Sequence, residues 1–392
     1  MSSRLRIVCS SVIFSLTLIA CKPASEQPLS ILEKLITDVF HPLSGEVVLV
    51  MIDLPHETLA DNEIWESRRE MAVEWHTAFK KLGDQRGFKV LPVLSYLATG
   101  NHNAQLPEFG EMDGEQVRFM DIFRQANIVV AMTEYSATAP LVEYSENLPD
   151  FRAASMPTVH AGMMETALSA DYQELAQKCQ GLFDVLDHAV GAELVFSTGE
   201  KLYIDLRNRH AKIDDGQLPA DKPGARVINL PSGEVYIAPY EGEIPGKPSL
   251  TAGRVPVIFG GERLTLGVQN NRFTNLTGEK QSAVEEMQDW FDTDDARRNL
   301  AELGLGCNDQ AVVTGNILED EKVLGVHLAA GRSEHIGGVV GPGDFSAPGH
   351  VVHHDVVYPF GSDLFVEHLA VVYRDGTKED LIQAGDYIIF SR

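Results

Sequence analysis

From Glu46 to about residue 190, apolar runs of strand length alternate with stretches of helical periodicity, and beyond Ala192 the helical stretches thin out. Glu46–Asp53, Lys89–Tyr96 and Asn127–Thr133 are short apolar runs that predict buried strands. Between them, Glu63–Leu82 sets Ile64, Ala72, His76, Phe79 and Leu82 near one helical face, and Glu115–Ala126 does the same with Val117, Met120 and Phe123. Alternation of this kind predicts a parallel α/β layer. A helix expected over Ala170–Val190 closes this half. Strand-like runs punctuated by glycine and proline follow: Glu193–Ser197, Lys201–Leu206, Arg226–Leu230, Glu234–Pro239, Val255–Phe259 and Arg263–Val268. The 392 residues exceed what one core usually organises. The expectation is an α/β protein with an N-terminal parallel α/β domain over 31–190 and a strand-rich α+β domain over 191–392.

The first residues carry a different signal. Arg4 and Arg6 precede the run Ile7–Ala20, which ends in Leu18-Ile19-Ala20-Cys21. This is the pattern of a secretory signal, residues 1–20, with a lipoprotein-type cleavage site before Cys21. The run, about 14 residues long, is short of the ~20 that span a bilayer. Lipidation of Cys21 and a polar tether over 21–30 are therefore expected, and stable anchoring takes two or more acyl chains. Lys22 in place of an aspartate points to the periplasmic face of an outer membrane as the destination.

Composition excludes more than it selects. With 57 acidic against 32 basic residues the chain carries a net charge of −25, a surface that repels phosphate, so no nucleic-acid partner is expected. Val47–Asp53 is followed by Leu54-Pro55-His56-Glu57 rather than a glycine-rich turn, which leaves nothing to cradle a pyrophosphate. Neither Ser44 nor Ser232 sits in a G-x-S-x-G frame. Cys179 and Cys307, isolated in the chain, are expected as small buried residues, so no disulfide framework is anticipated.

Chemistry concentrates in the last 160 or so residues, where ionisable groups interrupt apolar runs. Glu234 opens a strand-like run after the turn Leu230-Pro231-Ser232-Gly233. Asp289–Leu300 predicts a helix running into Ala301–Gly306, an apolar, glycine-rich stretch with Glu302 inside it. A buried, unpaired carboxylate costs several kcal/mol, so Glu302 has a cation beside it or the stretch is exposed. His327 lies in the apolar run Val323–Gly331, either bonded to backbone in the core or acting as a ligand. In Val351–Val357, strand alternation puts His353 and Asp355 on one face and His354 on the other, the geometry two ligands of one metal need. Such a site, spread over separate segments, is one that the fold has to assemble.

Taken in order, Leu230–Pro239 (LPSGEVYIAP), Asn299–Gly306 (NLAELGLG), Gly315–Lys322 (GNILEDEK), His327–Gly331 (HLAAG) and His353-His354-Asp355 resemble the thermophilic leucyl aminopeptidase family of dinuclear metallopeptidases, the aminopeptidase T and aminopeptidase S type. The resemblance covers roughly residues 192–392. It implies metal ligation by Glu234, Glu302, His327, His353 and Asp355, and two divalent ions, for which this donor set suits zinc, cobalt or manganese. It further implies hydrolysis of N-terminal residues from peptides, with Glu302 as bridging carboxylate or as the base assisting a water, and a homodimer. One position departs: where the family has a tyrosine, seven residues after His327, this chain has Glu334, followed by His335, and either is a candidate additional ligand. Two other readings stay open. His327, His353 and Asp355 also satisfy the two-histidine, one-carboxylate arrangement of a mononuclear non-haem iron ring-cleaving dioxygenase. Loss of the tyrosine also accords with an inactive lipoprotein binding module on this scaffold.

Overall fold

The computed structural model describes residues 29–221 and 226–391; the segment 1–20 and Cys21 lie outside the described residues. The chain forms a mixed α/β fold of three sheets. In the first, the order is Val227–Asn229, Arg152–Ser155, Ile128–Met132, Val47–Leu54, Leu94–Leu97, Phe109–Met112 and Glu115–Arg118, with Lys89–Val90 pairing beside Val47 and Val48. Its central strands run parallel. Every residue of Ile128–Met132 and Arg152–Ser155 is buried, as parallel strands covered on both faces require.

Helix Glu63–Arg86 starts at Asn62, whose side chain accepts from the Trp65 amide, and ends at Gly87, where φ of 84° suits glycine in a left-handed cap. Its apolar face differs from the sequence expectation. Trp65, Met71, Ala72, Trp75, Phe79 and Leu82 are buried, whereas Ile64 is 61% exposed. The indole N–H of Trp65 donates to the buried Asp53 carboxylate, which fixes the rotation of the first turn. A second expectation is corrected over Glu115–Ala126: a helix forms only at Phe119–Phe123, and Glu115–Arg118 is a strand. Asp113 and Gly114 both take positive φ and fold Phe109–Met112 back onto Glu115–Arg118 as a tight hairpin.

The second sheet is antiparallel and five-stranded: Lys212–Asp214, Glu234–Ile237, Leu300–Gly306, Gly325–Gly331 and His353–Pro359. The helix expected over Asp289–Leu300 lies earlier, at Gln281–Asp292, and Leu300–Gly306 is a fully buried strand near the sheet centre. A third, antiparallel sheet runs from Arg272–Gly278 at one edge to Asp386–Tyr387 at the other, and its Val257, Leu266 and Phe273 share an apolar cluster with Leu328 of the second sheet. The expected boundary near 190 falls between helix Tyr172–Leu186 and strand Gly191–Phe196. The chain crosses back over it: Val227–Asn229 joins the first sheet parallel to Arg152–Ser155, and the same apolar cluster takes residues from Leu35 to Tyr387.

Phe79 is fully buried between Phe40 and Trp75. Phe79→Ala is expected to lower unfolding stability by about 3–5 kcal/mol, and Ile64→Ala by less than about 0.5 kcal/mol, in a denaturant titration. Equal losses at the two positions would put Ile64 in the core and contradict the helix orientation.

Candidate metal centre

Four strands of the second sheet deliver the predicted ligands to one place. Glu234 is the first residue of its strand, set there by the turn before it, in which Ser232 Oγ donates to the Asn229 carbonyl and Gly233 has φ of 124°. A Cβ at Gly233 would press on Asn308 and Leu175, so the bend and its packing both call for glycine. In the next strand the register slips between Leu300 and Glu302. An unbroken strand would put these two residues on one face. The bulge lets Leu300 join the apolar core while Glu302 turns toward Glu234 and His327. Gly304 pairs with His327 across the ladder, and a Cβ there would collide with the imidazole, so the glycine makes room for the ring. His353 and Asp355 share a face of the edge strand, and His354 turns away to meet Trp290 with ring centroids 5.5 Å apart.

The five side chains form two overlapping sets, Glu234, Glu302 and His327 in one, Glu302, His353 and Asp355 in the other, with donor atoms in each set within 4.8 Å of one another. Glu302 belongs to both. Its Oε1 is 3.2 Å from His327 Nε2, and its Oε2 is 3.0 Å from His353 Nε2. His327 Nε2 also lies 3.3 Å from Glu234 Oε2, and His353 Nε2 lies 3.5 Å from Asp355 Oδ1. His353 Nδ1 is 2.6 Å from the Arg332 carbonyl, which can only accept, so Nδ1 donates outward and Nε2 faces the acids.

Charge is balanced closely. Burial raises the Glu302 carboxyl, but the hydrogen bonds and positive charge of His327 and His353 outweigh it and hold the group well below the usual carboxylate range. Burial works against the His327 cation, yet Glu302, Glu234 and Asp355 bring it up to about 9. His353 is likewise raised well above the imidazole range, by Asp355 and Glu302 against burial.

Lys322 is a participant for which the sequence reading had no role. Its side chain is 0% exposed, and Nζ sits 2.5 Å from Glu234 Oε1, 2.7 Å from Glu321 Oε1 and 3.6 Å from Asp214 Oδ2. Burial pushes Asp214 up to about 7 and Glu321 up to about 8, with Lys322 opposing both. The available signal was a lone lysine closing the acidic run Glu319-Asp320-Glu321.

The additional candidates stay outside both sets. Arg332 holds the Glu334 carboxylate through two contacts of 2.6 Å. The His335 ring stands edge-on to His353 at 4.9 Å, and burial, with His353 and Arg332 nearby, lowers it to about 4, so it is neutral.

A profile of the thermophilic metalloprotease family M29 matches residues 127–337, more than half of the chain, with Glu234, Glu302 and His327 inside the matched span. The chain belongs to the M29 metalloprotease family. Two solved structures share its fold. The 2,5-dihydroxypyridine dioxygenase of Pseudomonas putida KT2440 is 15% identical with a TM-score of 0.60, over 92% of this chain and 98% of that one. Wild-type AmpT of Thermus thermophilus is 15% identical with a TM-score of 0.54, over 91% and 99%. No curated protein matches the sequence.

M29 membership implies use of a divalent cation, and the donor set fits one. Glu234 Oε2 and Asp355 Oδ1 are buried acceptors without a hydrogen-bond partner among the described residues, one in each set. Carboxylate oxygens with imidazole nitrogens suit first-row divalent ions. A cation bound there would take the place of the imidazole protons that His327 and His353 set against these acids. Lys322 occupies Glu234 Oε1 and leaves Oε2 facing the site. Lys322→Met is therefore expected to weaken zinc binding by about 10–100-fold, the usual cost of losing a group that orients a ligand, in a chelator-competition titration. An unchanged affinity with an intact far-ultraviolet circular dichroism spectrum would remove Lys322 from the site.

Proposed function

We propose that this M29 chain is a metallo-aminopeptidase with a dinuclear centre, removing N-terminal residues from peptides. The observation that carries the proposal is the sharing of Glu302 by two ligand sets in a metalloprotease-family chain. Glu234 and His327 would hold one divalent ion and His353 and Asp355 the other, and the donor set suits zinc, cobalt or manganese. Because the two Glu302 oxygens address different imidazoles, the bridging role is favoured over that of a base. When bound, two such ions lower the pKa of a shared water toward neutrality, polarise the scissile carbonyl and offer a docking point for the free α-amine. The chain's own residues supply orientation: Lys322 fixes Glu234, the Arg332 carbonyl fixes His353, and Glu302 and His327 sit on fully buried strands.

A mononuclear iron dioxygenase is the second reading, favoured by the fold shared with the dihydroxypyridine dioxygenase and by the available histidine and carboxylate donors. Elemental analysis of the chain from residue 22, purified without chelator, separates the readings. About two equivalents of zinc, cobalt or manganese, with hydrolysis of aminoacyl amides that Glu302→Gln reduces by at least ~100-fold, is the expected result. One iron without hydrolysis supports the dioxygenase, and no metal after reconstitution supports a binding module.

Export, lipidation at Cys21 and placement on the periplasmic face of an outer membrane are proposed from residues 4–27, and a homodimer from the family resemblance. Among the described residues no helix is long and apolar enough to cross a membrane. Cys21→Ser is expected to move the protein from the membrane fraction to the soluble fraction on cell fractionation; retention in the membrane would argue against a lipid tether.

A further inference from the structure

Cys179 and Cys307 stand 128 positions apart in the chain, yet their sulfurs lie 2.8 Å from each other in the buried core. Carbon atoms out of bonding contact settle about 3.5–4.0 Å apart, and sulfur is larger. The space between helix Tyr172–Leu186 and the end of strand Leu300–Gly306 is therefore too small for two separate thiols. Both residues are fully buried, which removes them from reaction with substrate. Cys179 Sγ also lies 3.8 Å from the Asp214 carbonyl, and the Cys307 amide donates to the Gly233 carbonyl at 2.8 Å. The two sulfurs thus meet directly behind the turn that sets Glu234.

We propose that Cys179 and Cys307 form a disulfide that ties helix Tyr172–Leu186 to the sheet carrying the ligands. Each thiol gives up one proton and one electron, the S–S bond forms, and the two electrons reduce the disulfide of a dithiol oxidase or of oxidised glutathione to two thiols. Burial pushes the Cys179 thiol up, which disfavours the reactive thiolate once the core has closed. The consequence of the bond is a cross-link between segments far apart in sequence, which constrains the unfolded chain most when the closed loop is long. The bond rests on the export proposed above, which would bring the chain to an environment where such a bond persists.

The test uses the full chain secreted into an oxidising compartment, unfolded in the presence of iodoacetamide and digested for mass spectrometry without reductant. The expected result is no alkylation at either cysteine and a cross-linked peptide two hydrogens lighter than its two parent peptides together. Alkylation of both cysteines would overturn the proposal. Thermal melting with and without reductant gives an independent reading, with the midpoint expected to fall by roughly 5 °C or more on reduction. The Cys179→Ala, Cys307→Ala double variant should melt with the reduced wild type and ignore the reductant. A wild-type midpoint that reductant leaves unmoved would count against the bond. Should the variant fail to fold, the mass measurement on the wild-type chain still decides.

Discussion

Glu234, Glu302 and Asp355 are removed from water within a few ångströms of one another, and the second half of the chain is arranged around that cost. Each buried carboxylate forfeits several kcal/mol of hydration, and their mutual repulsion adds to it. Three positive groups stand against them: His327 and His353, both contacting Glu302, and Lys322, clamped to Glu234. The backbone makes the room. The bulge before Glu302 separates its direction from that of Leu300, and Gly304 leaves space for the His327 ring. Even so, one oxygen of Glu234 and one of Asp355 accept no hydrogen bond from the described residues, although an imidazole nitrogen lies within 3.5 Å of each. In a metalloprotease family, a divalent cation is the remaining counter-charge.

The sequence made the local features of this site legible and concealed the cross-strand ones. His353 and Asp355 could be assigned to one face because strand alternation is a two-residue rule, and Glu302 could be flagged because a carboxylate inside an apolar run needs a partner. The bulge at Leu300–Glu302, the fit of Gly304 to His327 and the reach of Lys322 to Glu234 depend on which strands are neighbours, and one chain read alone does not carry that information. The Cys179 and Cys307 pair was hidden for the same reason. In the first half, the parallel strands were clear from their apolar runs. The helix expected at Glu115–Ala126 failed because Asp113-Gly114 is a stronger signal, a hairpin turn, than the weak periodicity after it. The face of helix Glu63–Arg86 was misplaced at its start because Trp65 is drawn inward by Asp53, a contact between elements.

The scaffold alone does not fix the reaction, since a 2,5-dihydroxypyridine dioxygenase and AmpT share it with this chain at 15% identity each. On the reading proposed above, the number of metal ions the donors hold would separate the two chemistries. A mononuclear site needs three donors and open positions; here five donors divide into two sets joined by one carboxylate. Glu234 is the residue on which this turns, because without it His327 and Glu302 would leave the first set one donor short. Lys322 is consequently more than a neutralising charge: by engaging one oxygen of Glu234 it directs the other into the site.

The position where the resembled family carries a tyrosine bears on how this site handles protons. Glu334 is turned aside by Arg332 and does not reach the ligand sets. The next residue takes the nearby space instead, with the His335 ring edge-on to His353 and kept neutral by burial and by the positive groups around it. A neutral imidazole, like a phenol, has both a hydrogen-bond donor and an acceptor. Unlike an aspartate or glutamate, it adds no further negative charge to a cluster whose three carboxylates are already matched by three positive groups. The carboxylate at 334 is neutralised by Arg332, and the polar group beside the centre is the imidazole of His335.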